Sequence, residues 1–132
     1  MKIIFNIILI SFFVILNSCS EPVNSKPPQD PLIGAWVESG NESFYRFLKK
    51  SPGLDSNYYG LEFKPGGILI ERKNSGTCKT RPITYKNYDG TWERLNDSII
   101  SIESDSWEGR VSFRIEIESR TDDEIKVIYH FF

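Results

Sequence analysis

From residue 32 onward the sequence predicts an all-β fold, a small antiparallel up-and-down barrel of about eight strands, behind a signal peptide and a Pro-rich tether. Three observations lead there. Oily and polar side chains alternate with a period of two along several short runs, the pattern of a strand with one wet face. Turn-forming residues separate those runs at short spacing, and no run of helical length intervenes. Sequential runs joined by short turns form an antiparallel meander, and a twisted meander of this size loses its two exposed edges by closing on itself. A two-sheet sandwich is the alternative architecture.

Two segments precede the barrel. Met1-Lys2 places one positive charge before the apolar run Ile3–Leu16, which holds no acidic residue. That is the layout of a secretory signal peptide over residues 1–18. The run is shorter than the roughly 18–20 residues that a mature spanning helix needs. Residues 19–31 contain Pro22, Pro27, Pro28 and Pro31 and almost no apolar side chain. Such a stretch buries no core and reads as an extended tether with polyproline character.

The strands follow in order, in a domain over residues 32–132. Leu32-Ile33-Gly34-Ala35-Trp36 opens the first. Ser43–Lys49 is ambiguous: Phe44, Phe47 and Leu48 fit a helix face and Ser39-x-x-Glu42 fits a capping box, while its aromatics and its shortness favour a strand. Tyr59–Phe63 and Ile68–Arg72 flank Pro65-Gly66-Gly67, a hairpin signal. Ile83-Thr84-Tyr85 and Thr91–Leu95 flank Asn87-Tyr88-Asp89-Gly90, where Asp-Gly predicts a tight turn or a bulge. Ser98–Glu103 is bounded by Asn96-Asp97 and by Asp105-Ser106. Val111, Phe113, Ile115 and Ile117 share one face of the next strand, with Ser112, Arg114, Glu116 and Glu118 on the other. Ile125–Phe132 follows a turn at Thr121-Asp122-Asp123.

The charge totals narrow the partners. Sixteen basic and 18 acidic residues give a net charge of −2, and loss of Lys2 with the signal makes the mature chain one unit more negative. No basic face emerges, so nucleic acid is not an expected partner. Two cysteines are present, Cys19 and Cys78. The domain over residues 32–132 holds Cys78 alone and is therefore expected to fold without a disulfide.

Leu16-Asn17-Ser18-Cys19 resembles the bacterial lipobox, with a looser match at Asn17. The resemblance implies that the Cys19 thiol receives a diacylglycerol, that cleavage falls before it, and that its new amino group is acylated. Several acyl chains, palmitate among them, hold a protein on a bilayer where one chain does so only marginally. Ser20 after the cysteine resembles an outer-membrane sorting signal, which implies a periplasmic or surface-facing protein.

Gly34-Ala35-Trp36 resembles the start of lipocalins. Gly90-Thr91-Trp92 with Asn96–Ile102, Gly60–Gly67 and Asn74–Pro82 are similar to segments of short bacterial lipocalin-like lipoproteins of uncharacterised function. In that family the first tryptophan packs across the closed end, the glycine lets the backbone pass close to it, and an arginine stacks on the ring. Arg110, Arg114 and Arg120 are the candidates for that cation here. The family also carries a helix after its last strand, and this chain shows none.

Eight strands enclose packed side chains or one small ligand. A hydrophobic ligand would lie among Trp36, Phe63, Trp92, Phe113 and Ile115. The competing reading is a filled barrel that acts through its loops on an envelope protein. Tyr58, Tyr59, Tyr85, Tyr88 and Trp107 sit beside turns, at the expected rims. No phosphate loop, serine elbow or dinucleotide fingerprint occurs in the chain. His130 alone makes no zinc site of the usual kind, and Asp122-Asp123-Glu124 lacks the spacing of a calcium loop. The expectation is a non-enzymatic protein with no metal and no cofactor. Cys19→Ser is expected to release the protein from membranes into the soluble periplasmic fraction; unchanged retention on fractionation would remove the anchor.

Overall fold

The computed structural model describes residues 26–55, 57–76 and 82–132. The signal peptide, the lipobox with Cys19, and Cys78 lie outside the described residues. Eight strands form one closed antiparallel barrel: β1 (Gly34–Glu42), β2 (Tyr45–Ser51), β3 (Gly60–Lys64), β4 (Ile68–Asn74), β5 (Tyr85–Arg94), β6 (Ile99–Ser106), β7 (Gly109–Arg120) and β8 (Glu124–Phe131). A single 3-10 turn over Pro65–Gly67 joins β3 to β4, where the hairpin was predicted. The ambiguous segment is strand from Tyr45 onward, and Ser39 and Glu42 both lie in β1 rather than in a helix cap.

The meander runs unbroken from β3 through β8. It departs from simple sequence order at one place, because the β1–β2 hairpin sits between β8 and β3 in reversed sense. β1 therefore pairs with both β2 and β3, with Trp36 opposite Lys50 on one side and Leu61 on the other. β2 pairs with β8, Leu48 opposite Ile125. The link from β2 to β3 passes outside β1, where Leu54 and the outward side chain of Val37 both crowd Gly60.

Asn87–Gly90 is not a turn. It lies inside β5, with Asp89 opposite Ile70, and Gly90 opposite Leu69 on one side and Ser104 on the other. The glycine is there for proximity. A Cβ at residue 90 would meet the Glu103 carbonyl oxygen at 2.3 Å and the Ser104 Cα at 3.0 Å. Asp-Gly carries the same signal whether a chain turns or a neighbouring backbone presses close, and only the fold separates the two. The strand before it begins at Tyr85, so Ile83 and Thr84 belong to the preceding link. β6 likewise runs through Asp105 and Ser106, which were expected to end it.

Apart from the β2–β3 link, the turns fall at two ends. At the tether end lie the described tether residues, the Pro65–Gly67 turn and the links β5–β6 and β7–β8. At the far end lie the turn β1–β2 and the links β4–β5 and β6–β7. Inward residues pack into one cluster that includes Leu32, Trp36, Leu48, Leu61, Phe63, Leu69, Ile100, Ile102, Phe113 and Ile115.

Leu32 plugs the tether end with no exposed surface, and its carbonyl accepts the Trp36 indole N–H at 2.8 Å. The cation over the Trp36 ring is Lys50, 5.6 Å from its centroid, and none of the three expected arginines. Lys50 reaches the ring because it faces Trp36 across the β1–β2 pair, a register invisible before the hairpin is placed. Gly34 supplies a backbone angle, φ 127°, that side chains disfavour, rather than close approach to the ring.

The tether is held before the barrel begins. Both carboxylate oxygens of Asp30 accept hydrogen bonds from Arg94, at 2.7 and 2.8 Å, and the Leu32 N–H donates to Asp30 at 2.9 Å. That bidentate pair, chiefly through its hydrogen bonds, holds the Asp30 carboxyl below the usual carboxylate range. Gly90→Ala is expected to destabilise the protein by about 2 kcal/mol or more, because backbone must move. Gly40→Ala, where an added methyl meets nothing within 4 Å, is the control and stays within about 0.5 kcal/mol. Urea unfolding of the two variants measures the difference.

Candidate functional site

In β4 and β6, period-two alternation carries the inner face from apolar at the tether end to polar at the far end, while the inner face of β7 stays apolar throughout. In β4 the inward residues are Leu69, then Glu71, then Lys73. In β6 they are Ile100 and Ile102, then Ser104. The barrel is thus built in two storeys, and the polar one lies at the far end.

Glu71 anchors that storey. It is 4% exposed and Ser104 has no exposed surface. Its carboxylate accepts from the Tyr59 hydroxyl at 2.9 Å, from the Lys73 ammonium at 2.7 Å and from the Ser104 hydroxyl. Lys73 also donates to Ser104 at 2.9 Å and lies 5.1 Å from the Tyr88 ring centroid. A buried carboxylate is tolerated only when paired and hydrogen-bonded, and here three donors, one from β4, one from β6 and Tyr59 just before β3, meet that need. Serine, lysine and glutamate together have the composition of an activated nucleophile. Ser104 is sealed from solvent, however, and its proton goes to the Glu71 carboxylate, so the trio as arranged holds the wall together.

Arg46 lies next to this network. Its guanidinium sits 4.7 Å from the Tyr129 ring centroid and 5.4 Å from that of Tyr59. Its ion pair with Glu38 is long at 3.4 Å. Burial pushes the Tyr59 and Tyr129 hydroxyls well above the usual tyrosine range, so both stay protonated. The neighbouring Tyr129 and Glu71 push Tyr59 further in the same direction. The Tyr129 hydroxyl is buried and has no hydrogen-bond partner among the described residues.

The rim beyond this storey is apolar. Eight large apolar side chains are exposed among the described residues, and six of them lie at the far end: Phe44, Tyr58, Ile83, Trp107, Phe131 and Phe132. Ile68 and Leu95 lie at the tether end.

The five residues expected to line a ligand cavity are brought together in the core. Trp36, Phe63, Phe113 and Ile115 each expose 2% or less. Trp92 is half-buried, meets Phe63 edge-on at 5.3 Å between ring centroids, and donates its indole N–H to the Lys64 carbonyl at 2.9 Å. Phe113 stacks on Tyr129 at 5.6 Å. Side chains without accessible surface leave no room between them for a water molecule. Of the aromatics expected at rims, Tyr58 and Trp107 are exposed there, while Tyr59 and Tyr88 turn inward to Glu71 and Lys73. His130 is exposed and pairs with Glu116 at 2.9 Å. No cluster of metal-ligating side chains occurs among the described residues.

Sequence reasoning passed over Arg46, Glu71, Lys73 and Ser104. A signal existed in β4, because continuing the alternation from Leu69 puts Glu71 and Lys73 inside. What alternation could not supply was the partner from β6, 33 residues away in the chain.

The fold and this site define a class: a closed antiparallel barrel, solid at one end, polar inside and aromatic-rimmed at the other. No protein-family model, curated protein or solved structure matches the chain. Glu71→Ala is expected to cost about 2 kcal/mol by removing the partner of the half-buried Lys73 ammonium. The double change Glu71→Leu with Lys73→Met costs less than the single one, a sign that chemical denaturation can read directly.

Proposed function

We propose that this protein is a lipocalin-like lipoprotein of the bacterial envelope that acts without catalysis, offering the far end of a filled barrel to a protein partner. The observation that carries this reading is the polarity of the molecule. Its tether leaves from one end, clipped by Asp30 and Arg94, and its exposed aromatic side chains gather at the other. A barrel held on lipid through Cys19 would turn that aromatic end away from the membrane.

Aromatic and arginine side chains dominate the energetics of protein interfaces, and an exposed apolar cluster with polar neighbours marks a contact site. A small hydrophobic ligand in the core was the other expectation. It would have to part Trp36, Phe63, Phe113 and Ile115, which are packed with almost no exposed surface. The interaction reading asks for no such rearrangement. The strands' outer faces carry exposed polar side chains such as Ser112 and Arg114, so they present no lipid-facing band. No helix among the described residues is long and apolar enough to cross a membrane.

The test is in-cell photo-crosslinking from single positions. A photoreactive residue at Trp107 or Ile83 is expected to give discrete protein adducts, and one at Ile68 or Leu95 none. Adducts from the tether end alone, or from neither end, would overturn the proposal.

A further inference from the structure

The far end carries a cleft with a more specific chemistry than its rim. It opens between the β1–β2 turn and the last residues of β8, with a volume of about 490 Å³. Phe44 and Phe131 form its walls, 63% and 65% exposed. Arg46 and Tyr129 line it with Glu38. The cleft exists because β2 begins at Tyr45, opposite Ile128, while β8 continues to Phe131.

Arg46 has five N–H donors. Among the described residues only Nη1 donates, to Glu38 at 3.4 Å. That is longer than a good charge-assisted bond of about 2.7–2.9 Å. The rings of Tyr129 and Tyr59 pack against one side of the guanidinium, which is part-exposed and lines the cleft. The Tyr129 side chain borders the same cleft, with its hydroxyl buried beside that of Tyr59.

We propose that this cleft binds a carboxylate joined to a flat apolar group. The proposal deepens the interaction reading and rests on it for the partner, since the carboxylate is either a free aryl acid or the C-terminal end of a partner chain. The single positive charge of Arg46 matches one carboxylate. A dianionic phosphate would face the Glu38 carboxylate across the same guanidinium and suffer its repulsion. The flat group fits between Phe44 and Phe131, where offset or edge-on ring packing is available. Glu38, Asn41, Ser43 and Arg46 line the cleft beside the aromatic rings, so polar groups make up much of its wall, and its volume is within the range of small-ligand sites.

The experiment is calorimetric titration of the full-length protein in lipid nanodiscs with three probes: phenylacetate, acetyl-Ala-Ala-Phe with a free carboxylate, and the same peptide amidated. At least one carboxylate probe is expected to bind saturably. Amidation weakens the peptide, and Arg46→Gln weakens any carboxylate, by about tenfold or more. Glu38→Gln strengthens binding a few-fold, because it removes the competing acceptor.

Phenylacetate binding as well as the peptide acid identifies the free acid as sufficient, and peptide-only binding identifies a chain end. No saturable binding by either acid, or an amide that binds as well as the acid, overturns the proposal. Should Arg46→Gln fail to fold, the acid–amide comparison on the unaltered protein decides alone. Crosslinks from Trp107 that persist without any carboxylate binding would sink this inference and leave the interaction reading standing.

Discussion

Everything in this molecule depends on closure of the sheet by the β1–β2 hairpin. Without it the meander from β3 to β8 has two open edges, and its inner face lacks the wall that carries Trp36 and Leu48. Inserted between β8 and β3, the hairpin supplies both edges at once. It also brings Lys50 onto the Trp36 ring at one end and Arg46 onto Tyr59 and Tyr129 at the other. One placement thus seals the core and completes the polar storey.

The two storeys divide the work. The lower one is packed hydrocarbon with Leu32 as its plug, and its contribution is apolar surface removed from water. The upper one gives up some of that gain for the Glu71 network, since a paired buried charge is rarely more stabilising than well-packed apolar residues of the same volume. Keeping such a network argues for something other than stability there, and the aromatic rim and the half-paired Arg46 lie directly beside it. Shape and chemistry therefore point to the same end of the barrel.

Much of the fold was legible in the chain. Alternation placed Val111, Phe113, Ile115 and Ile117 on the inner face of β7, and Pro65-Gly66-Gly67 marked its turn. The misreading of Asn87–Gly90 had a definite cause: a glycine needed for close strand approach looks like a glycine needed for a turn. The position of the β1–β2 hairpin was hidden, because local patterns do not encode which distant edge a strand joins. For the same reason Lys50 and Arg46 could not be assigned to their rings. The candidate site was half visible, in its aromatics, and half invisible, in the network that joins β4 to β6.

The pairing of Tyr45–Lys49 with Glu124–Ile128 has a consequence for how the chain is made. The second strand waits for the eighth, so the wall cannot shut until β8 has left the ribosome. Until then the early hairpin exposes one side to any passing strand. A protein wired this way acquires its shape in one late step.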